Sequence, residues 1–366
     1  MKVSVITMHS VKNYGSALQT FATQKVLENM GLEVEFINYI RSKYMDKNLL
    51  ETWTEKDKGL SKLIKKVIIY PTVQKWKKVF WNYLNENVTL TPHTYLTPED
   101  FEKYPVHADI FCTGSDQVWN SGWNEGIEYP FFLTFAPQDK PRISFSASIG
   151  KSELTSEEIS QIRPLLKQYK YITMREDSGL QLIKGMGITN CGFCLDPTLL
   201  LSKDEWLKHM KPIQRNKKYV LIYQLNRNKD FDRYAVEFAK RKNLQLVRFC
   251  TRYDQARLPG IPLMVPDIQE FPSLIANAEY VITDSFHATA FSINLNTEFI
   301  SVYPQDYSSR INDILKLTGL EYRKLESFDD FETTDKKIDF DCVNNIILRE
   351  REESLNEIKK MIEMCL

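Results

Sequence analysis

The chain has 366 residues, 43% hydrophobic and 26% charged, with 48 Lys plus Arg set against 48 Asp plus Glu. That composition is globular, and the length exceeds what one hydrophobic core usually serves, so two domains are expected. Zero net charge gives no global attraction to nucleic acid, six cysteines are too few for a disulfide framework in a chain this long, and no run of about 18 apolar residues marks a membrane-spanning helix.

The amino-terminal MKVSVITMHS reads as a strand and not as a signal peptide, which predicts a reduced, cytoplasmic protein. VSVIT, at 3–7, is a short apolar run of the buried-strand kind. After a loop holding Gly15, residues 17–30 place Leu18, Phe21, Ala22, Val26 and Met30 on one helical face. Gly31 then stops the helix and EVEFINY follows as a second strand. A strand-loop-helix-strand unit at the start predicts a doubly wound parallel sheet.

Residues from about 41 to 100 break this rhythm. KDKGLSKLIKKVIIYPTVQKWKKVFWNYL is basic, aromatic and interrupted by Pro71, and reads as helices inserted into the first domain. It fits a solvated helix pair with its lysines in water, or peripheral attachment to an acidic membrane surface. The sheet resumes with ADIFCTG, RISFSAS and YITMRE, and DSGLQLIKGMG is a helix ended by glycine. Asp196-Pro197 marks a boundary, giving domains 1–196 and 197–366. The second set of units runs KYVLIYQL, DFDRYAVEFAKRKN, LQLVRF, FPSLIANA, YVITD, HATAFSINLN, EFISVY and SSRINDILKLTGL, before a long amphipathic carboxyl-terminal helix. The expected fold is α/β and GT-B-like: two Rossmann-like domains with parallel sheets, in which substrates lie between the domains.

Four loops join strand ends to helix starts and hold more polar groups than a plain connection needs. In HSVKNYGSALQ, Asn13, Gly15 and Ser16 open a helix whose N-terminus attracts phosphate or carboxylate, with Ser16 as the expected cap. In TGSDQVWN, Ser115, Asp116 and Gln117 offer acceptors and donors, and Trp119 either anchors the loop or stacks on a sugar. In ITMREDSG, Arg175 closes an apolar strand, where it meets either a bound anion or a carboxylate partner. In TDSFHATAFS, His287 stands between strand and helix, where a titratable imidazole can give and take a proton. His287 and His9 both stand at strand ends, and His287 is the catalytic candidate. Cys191 and Cys194 form one CxxC, which without a second pair reads as two packed thiols and not as a zinc site.

Together these segments resemble the polysaccharide pyruvyl transferase family. NYGSALQTFATQ is similar to its NYG-x-x-LQ-x-YA-x-Q segment, TGSDQVWN to its GSDQ-[VI]-WN block, ITMREDSG to its V-R-E segment and LDPTLLL to its D-P-T stretch. FPSLIANAEYVITDSFHATAFSINLNTEFISV resembles its carboxyl-terminal block ending in D-x-x-H-G. The resemblance implies phosphoenolpyruvate as donor, a sugar with two hydroxyls as acceptor, a cyclic pyruvate ketal as product and phosphate as leaving group, in capsule, exopolysaccharide or wall-polymer synthesis. It places acid/base catalysis on His287 and donor binding on Arg175.

Two departures stand out. Several members have arginine where this chain has Ser285, and many have glycine where it has Ala288. Arg310, from SSRINDIL, is the expected substitute cation. The remaining expectations assign Ser285, Asn13, Gly15 and Ser16 to the donor, and Asp116 to sugar hydroxyls or a helping base. Ser115, Gln117, Trp119 and Asp284 are assigned to the acceptor, with the loops around Trp119, Trp123 and Tyr129 deciding its identity. The acceptor is free, nucleotide-linked or lipid-linked. No metal, other cofactor or nucleic acid is called for. The alternatives are a nucleotide-sugar-dependent GT-B glycosyltransferase and an inactive glycan-binding homologue.

Overall fold

A computed structural model of the chain describes residues 1–304 and 309–366. The strands, in order, are β1 (Lys2–Ile6), β2 (Glu33–Tyr39), β3 (Leu90–Tyr95), β4 (Ile110–Thr113), β5 (Arg142–Ala147), β6 (Tyr171–Met174), β7 (Cys191–Phe193), β8 (Tyr219–Tyr223), β9 (Gln245–Cys250), β10 (Ile261–Met264), β11 (Tyr280–Thr283) and β12 (Phe299–Ser301). The helices are α1 (Tyr14–Asn29), α2 (Leu49–Thr54), α3 (Gly59–Asn87), α4 (Pro98–Lys103), α5 (Ser121–Asn124), α6 (Ser156–Leu166), α7 (Asp177–Gly185), α8 (Pro197–Leu200), α9 (Lys203–His209), α10 (Lys229–Arg241), α11 (Glu270–Ala276), α12 (Phe286–Leu295), α13 (Ser309–Thr318) and α14 (Phe340–Glu363). Ser308, counted in the expected helix SSRINDILKLTGL, lies outside the described residues.

The strands make two parallel sheets, ordered β3-β2-β1-β4-β5-β6-β7 and β10-β9-β8-β11-β12. Central strands such as YVLIY of β8 are buried along their whole length, as parallel strands covered by helices on both faces require. With α14 in place, this is the α/β GT-B fold of two Rossmann-like domains.

Two compact units divide the chain. Met1–Ser42, Leu84–Leu201 and Ile347–Leu366 form one, and Lys43–Tyr83 with Ser202–Ile346 form the other. This differs from a single cut at 196/197 with an insertion at 41–100 in the first domain. Aromatic anchoring explains why α2 and most of α3 join the second unit. Buried Trp76 donates Nε1–H to Thr251 O at 2.8 Å, Tyr253 N–H donates to Thr72 Oγ1 at 2.9 Å, and the Tyr83 hydroxyl meets His209 at 2.9 Å. Near the other end of the insertion, LTPHTY forms β3, an edge strand of the first sheet. The end of α14 closes the first unit: Arg351 Nε donates to Leu199 O at 2.9 Å and Leu195 N–H donates to Ser354 Oγ at 3.0 Å.

The start of α6 supplies a pH test of the fold. Thr155 and Glu158 make a reciprocal cap, and Glu158 also accepts from Lys151 Nζ at 2.6 Å and from Ser121 Oγ. Burial pushes this carboxyl up, but Lys151, Ser121 and the Thr155 N–H outweigh it and hold it at about 2, against 4.5 ordinarily. A depressed folded pKa contributes stability above the unfolded value and loses it as pH falls towards the folded one. Urea midpoints of the wild type should therefore fall as pH drops below 4.5. Glu158→Gln should start less stable and show a flatter acid limb; parallel limbs would contradict the assignment.

Candidate active site

In the first sheet the winding direction reverses between β1 and β4, and such switch points are where doubly wound folds bind ligands. Here side chains lace the loops together. Gln19 Nε2 donates to Thr7 Oγ1 at 3.1 Å, and Thr7 Oγ1 donates to Ser115 O at 2.5 Å. Ser16 Oγ donates to Asp116 Oδ2. Asp116 Oδ1 accepts from Gln117 N–H at 2.8 Å and from Arg175 Nη2 at 3.3 Å. Asp116 sits at φ 85°, in the left-handed region that few non-glycine residues occupy, where these three donors hold it.

Arg175 is the hub. Its side chain is 0% exposed, and Nη1 donates to Asp196 Oδ2 at 2.8 Å and to Ser115 Oγ at 3.3 Å. Its Nε lies 3.7 Å from Glu176 Oε2. Glu176 Oε1 accepts from Ile149 N–H at 3.1 Å and Gly150 N–H at 3.3 Å. Asp196 Oδ1 accepts from Thr198 N–H at 3.0 Å and caps α8, with Pro197 at the first helical position. Burial acts to lower the Arg175 pKa, but Asp196, then Asp116 and Glu176, outweigh it and hold it above the ordinary value. Of the two readings of Arg175, these contacts support the carboxylate partner.

The neighbouring loops are held by their own contacts. Asn13, and not Ser16, caps α1: its side chain accepts from Gly15 N–H at 2.8 Å and Ser16 N–H at 3.3 Å. The helix starts three residues earlier than its apolar face announces, so Gly15 lies inside its first turn. The amides of Gly15 and Ser16 thereby serve the cap. Ser115 is fully buried inside the network. Trp119 is 2% exposed, donates Nε1–H to Phe131 O at 3.1 Å and stacks on Phe132, so it is the loop anchor and not a sugar platform. Gln117 Oε1 accepts from Asn120 Nδ2 at 2.6 Å. A Cβ on Gly150, at φ +65°, would stand 2.2 Å from that same oxygen, which is why glycine is needed there. Trp123 and Tyr129 remain outside, 40% and 52% exposed.

In the second sheet the winding reverses between β8 and β11. Asp284 bridges this switch point. Its Oδ1 accepts from Leu225 N–H at 2.7 Å, and its Oδ2 accepts from Asn226 N–H at 2.8 Å and Nδ2 at 3.1 Å. Burial raises its pKa against the opposing pull of these donors. Thr283 Oγ1 donates to Tyr223 O at 2.8 Å and accepts from Ser285 N–H at 3.0 Å. Ser285 then caps α12, accepting from Ala288 N–H at 3.4 Å. Asp284 and Ser285 thus shape the turn.

That turn delivers His287 into the first turn of α12, 6% exposed. The Phe286 ring meets the imidazole edge-on at 5.2 Å, and the Arg310 guanidinium stands over the Phe286 ring at 5.4 Å. An imidazole, a guanidinium and a helix N-terminus therefore gather at one switch point. A helix N-terminus adds roughly half a positive charge, so the local field favours an anion beside a proton carrier. His9 differs: it is fully buried, with Nδ1 3.3 Å from Thr7 O and Nε2 3.2 Å from Asn38 Oδ1, and burial lowers its pKa.

Sequence reasoning named Glu176 as a carboxylate partner for Arg175, but missed the role of Asp196 and the part played by Phe286. The D-P-T stretch signalled a helix cap, but it reads equally as a domain boundary. Cys191 and Cys194 are free, buried thiols, and burial pushes the Cys194 thiol up to about 12.

Solved structures similar to this chain share its fold. A putative UDP-N-acetylglucosamine 2-epimerase from Listeria monocytogenes is 12% identical with a TM-score of 0.54, covering 97% of this chain and 90% of that one. The UDP-GlcNAc 2-epimerase of Methanocaldococcus jannaschii, solved with UDP-GlcNAc and UDP, is 14% identical with a TM-score of 0.51 and 99% coverage of both chains. S. aureus MnaA, solved with UDP, is 13% identical with a TM-score of 0.51, covering 99% of this chain and 97% of that one. No curated protein matches the chain in sequence. The family profile "Polysaccharide pyruvyl transferase" matches residues 13–307, from the capping Asn13 through the His287 turn, and the chain belongs to the polysaccharide pyruvyl transferase family.

Proposed function

We propose that this protein transfers the pyruvyl group of phosphoenolpyruvate onto two hydroxyls of a saccharide, forming a cyclic ketal and releasing phosphate. The observation that supports it is the grouping of His287, Arg310 and the α12 N-terminus at the switch point of the second sheet. Phosphoenolpyruvate is a dianion or trianion with a protonatable methylene, and this grouping answers both features.

In this mechanism the His287 imidazolium gives its proton to the methylene carbon of phosphoenolpyruvate. The adjacent carbon becomes oxocarbenium-like, and a first sugar hydroxyl adds to it, returning its proton to the imidazole. The C–O bond to phosphate then breaks. The second hydroxyl attacks the same carbon, closes the ketal and gives up its proton to the departing phosphate or to His287. Arg310 and the α12 N-terminus hold the phosphate and carboxylate charges. Asp284, Ser285 and Thr283 position His287 without touching substrate. A nucleotide- or lipid-linked saccharide is the acceptor class in this reading.

Arg310→Ala should raise KM for phosphoenolpyruvate by about tenfold or more, the loss of a charge-assisted contact, while the melting temperature stays close to wild type. Phosphate release and product mass, measured over a panel of saccharide acceptors, test the whole reading. A pyruvylated product with equal phosphate supports it; glycosyl transfer from a nucleotide sugar would replace it.

A further inference from the structure

We infer that the amino-terminal half of α3 is a docking face for an anionic phospholipid surface. Helix α3 has two apolar sides. Ile69, Val73, Trp76 and Phe80 are buried against the second unit. Leu60, Leu63, Ile64, Val67 and Ile68 recur at the i, i+3, i+4, i+7, i+8 spacing of a second stripe, and are 72%, 60%, 52%, 68% and 47% exposed. At about 100° per residue this stripe points away from the buried side. Five aliphatic side chains in one exposed row exceed the scattered apolar residues of an ordinary surface.

Charge identifies the occupant. The chain as a whole is neutral, yet α3 contains six lysines and a single acid, Glu86, near its end. Lys62 and Lys66 pair with Glu51, and Lys65 pairs with Asp57, on the side of the helix away from the exposed stripe. Lys75 and Lys78 continue the face of the exposed stripe two turns on, and Lys56 and Lys58 precede it. Tyr70, 52% exposed, adds an amphipathic ring of the kind favoured at a membrane–water interface. A second copy of the chain is a poor occupant, because parallel or antiparallel pairing of two stripes sets lysine-bearing ends against each other. An anionic bilayer satisfies the aliphatic row and the lysines together. The face does not depend on the pyruvyl-transfer reading and has its own test.

That test is flotation of the full chain with vesicles of phosphatidylcholine alone, or with about one-third phosphatidylglycerol. Wild type should float with the anionic vesicles, and salt should weaken its binding. Leu63→Gln with Val67→Gln changes two exposed side chains, so folding should survive, as a melting curve and a sizing column will show. This variant should lose about tenfold or more of its vesicle partitioning. Lys75→Glu with Lys78→Glu should abolish the preference for anionic vesicles. Wild type that fails to float, a glutamine variant that floats unchanged, or equal binding to neutral vesicles would overturn the proposal. So would a wild-type dimer that the glutamine variant dissolves.

Discussion

Replacing His287 by alanine should lower turnover by about 10²–10⁴-fold, the usual worth of one positioned acid/base group, while affinity for phosphoenolpyruvate changes little. The expectation follows from placement. The imidazole sits in the first turn of α12 beside a ring that Arg310 covers, and the turn is held from outside by Asp284 and Thr283. Truncating His287 removes the proton carrier and leaves the anion-binding charge in place. The kcat and the KM for phosphoenolpyruvate, measured together, separate the two roles. A fall in kcat with KM unchanged assigns proton transfer to His287. An equal loss in binding makes it a substrate ligand only, and the acid must be sought elsewhere.

Arg175→Ala should behave in the opposite way, costing stability first. Removing one partner of a buried ionic cluster typically costs about 3–5 kcal/mol, because the charges left behind lose their compensation. Three carboxylates, Asp196, Asp116 and Glu176, would be left facing one another at the ends of β4, β6 and β7. Urea denaturation should show the loss, and whatever folded enzyme survives should bind phosphoenolpyruvate nearly as wild type does. Arg175→Lys should recover only part of the stability, since an ammonium cannot present a fork to Asp196 and Asp116 at once. A stable Arg175→Ala protein with specifically weakened donor binding would return Arg175 to the donor site.

The contrast shows what residue patterns can and cannot reveal. Strands such as VSVIT and KYVLIYQL announce themselves because central parallel strands must be apolar throughout. The edge strands β3 and β10 contain Pro92 and Pro262 and bury less. Their apolar signal is weak, and Pro is tolerated in strands mainly at such edges. The His287 turn was legible because a polar run between an apolar strand and an apolar helix is unusual. Arg175 was visible as a costly buried cation, but its partners come from Asp116 and Asp196, which only the sheet order brings to it. Trp119 was ambiguous for a similar reason: an indole that anchors a loop and one that stacks on sugar look alike in sequence, and burial alone separates them. The affiliation of α2 and α3 was hidden because the contacts that anchor them lie far along the chain, at Thr251 and Tyr253.

In the proposed reading phosphoenolpyruvate is the donor, held by charge around His287. Calorimetric titration of phosphoenolpyruvate into wild type and Arg310→Ala, beside a panel of nucleotide sugars, tests it most directly. Phosphoenolpyruvate should bind the wild type, and its binding should weaken sharply in Arg310→Ala. A nucleotide sugar that binds while phosphoenolpyruvate does not would contradict it.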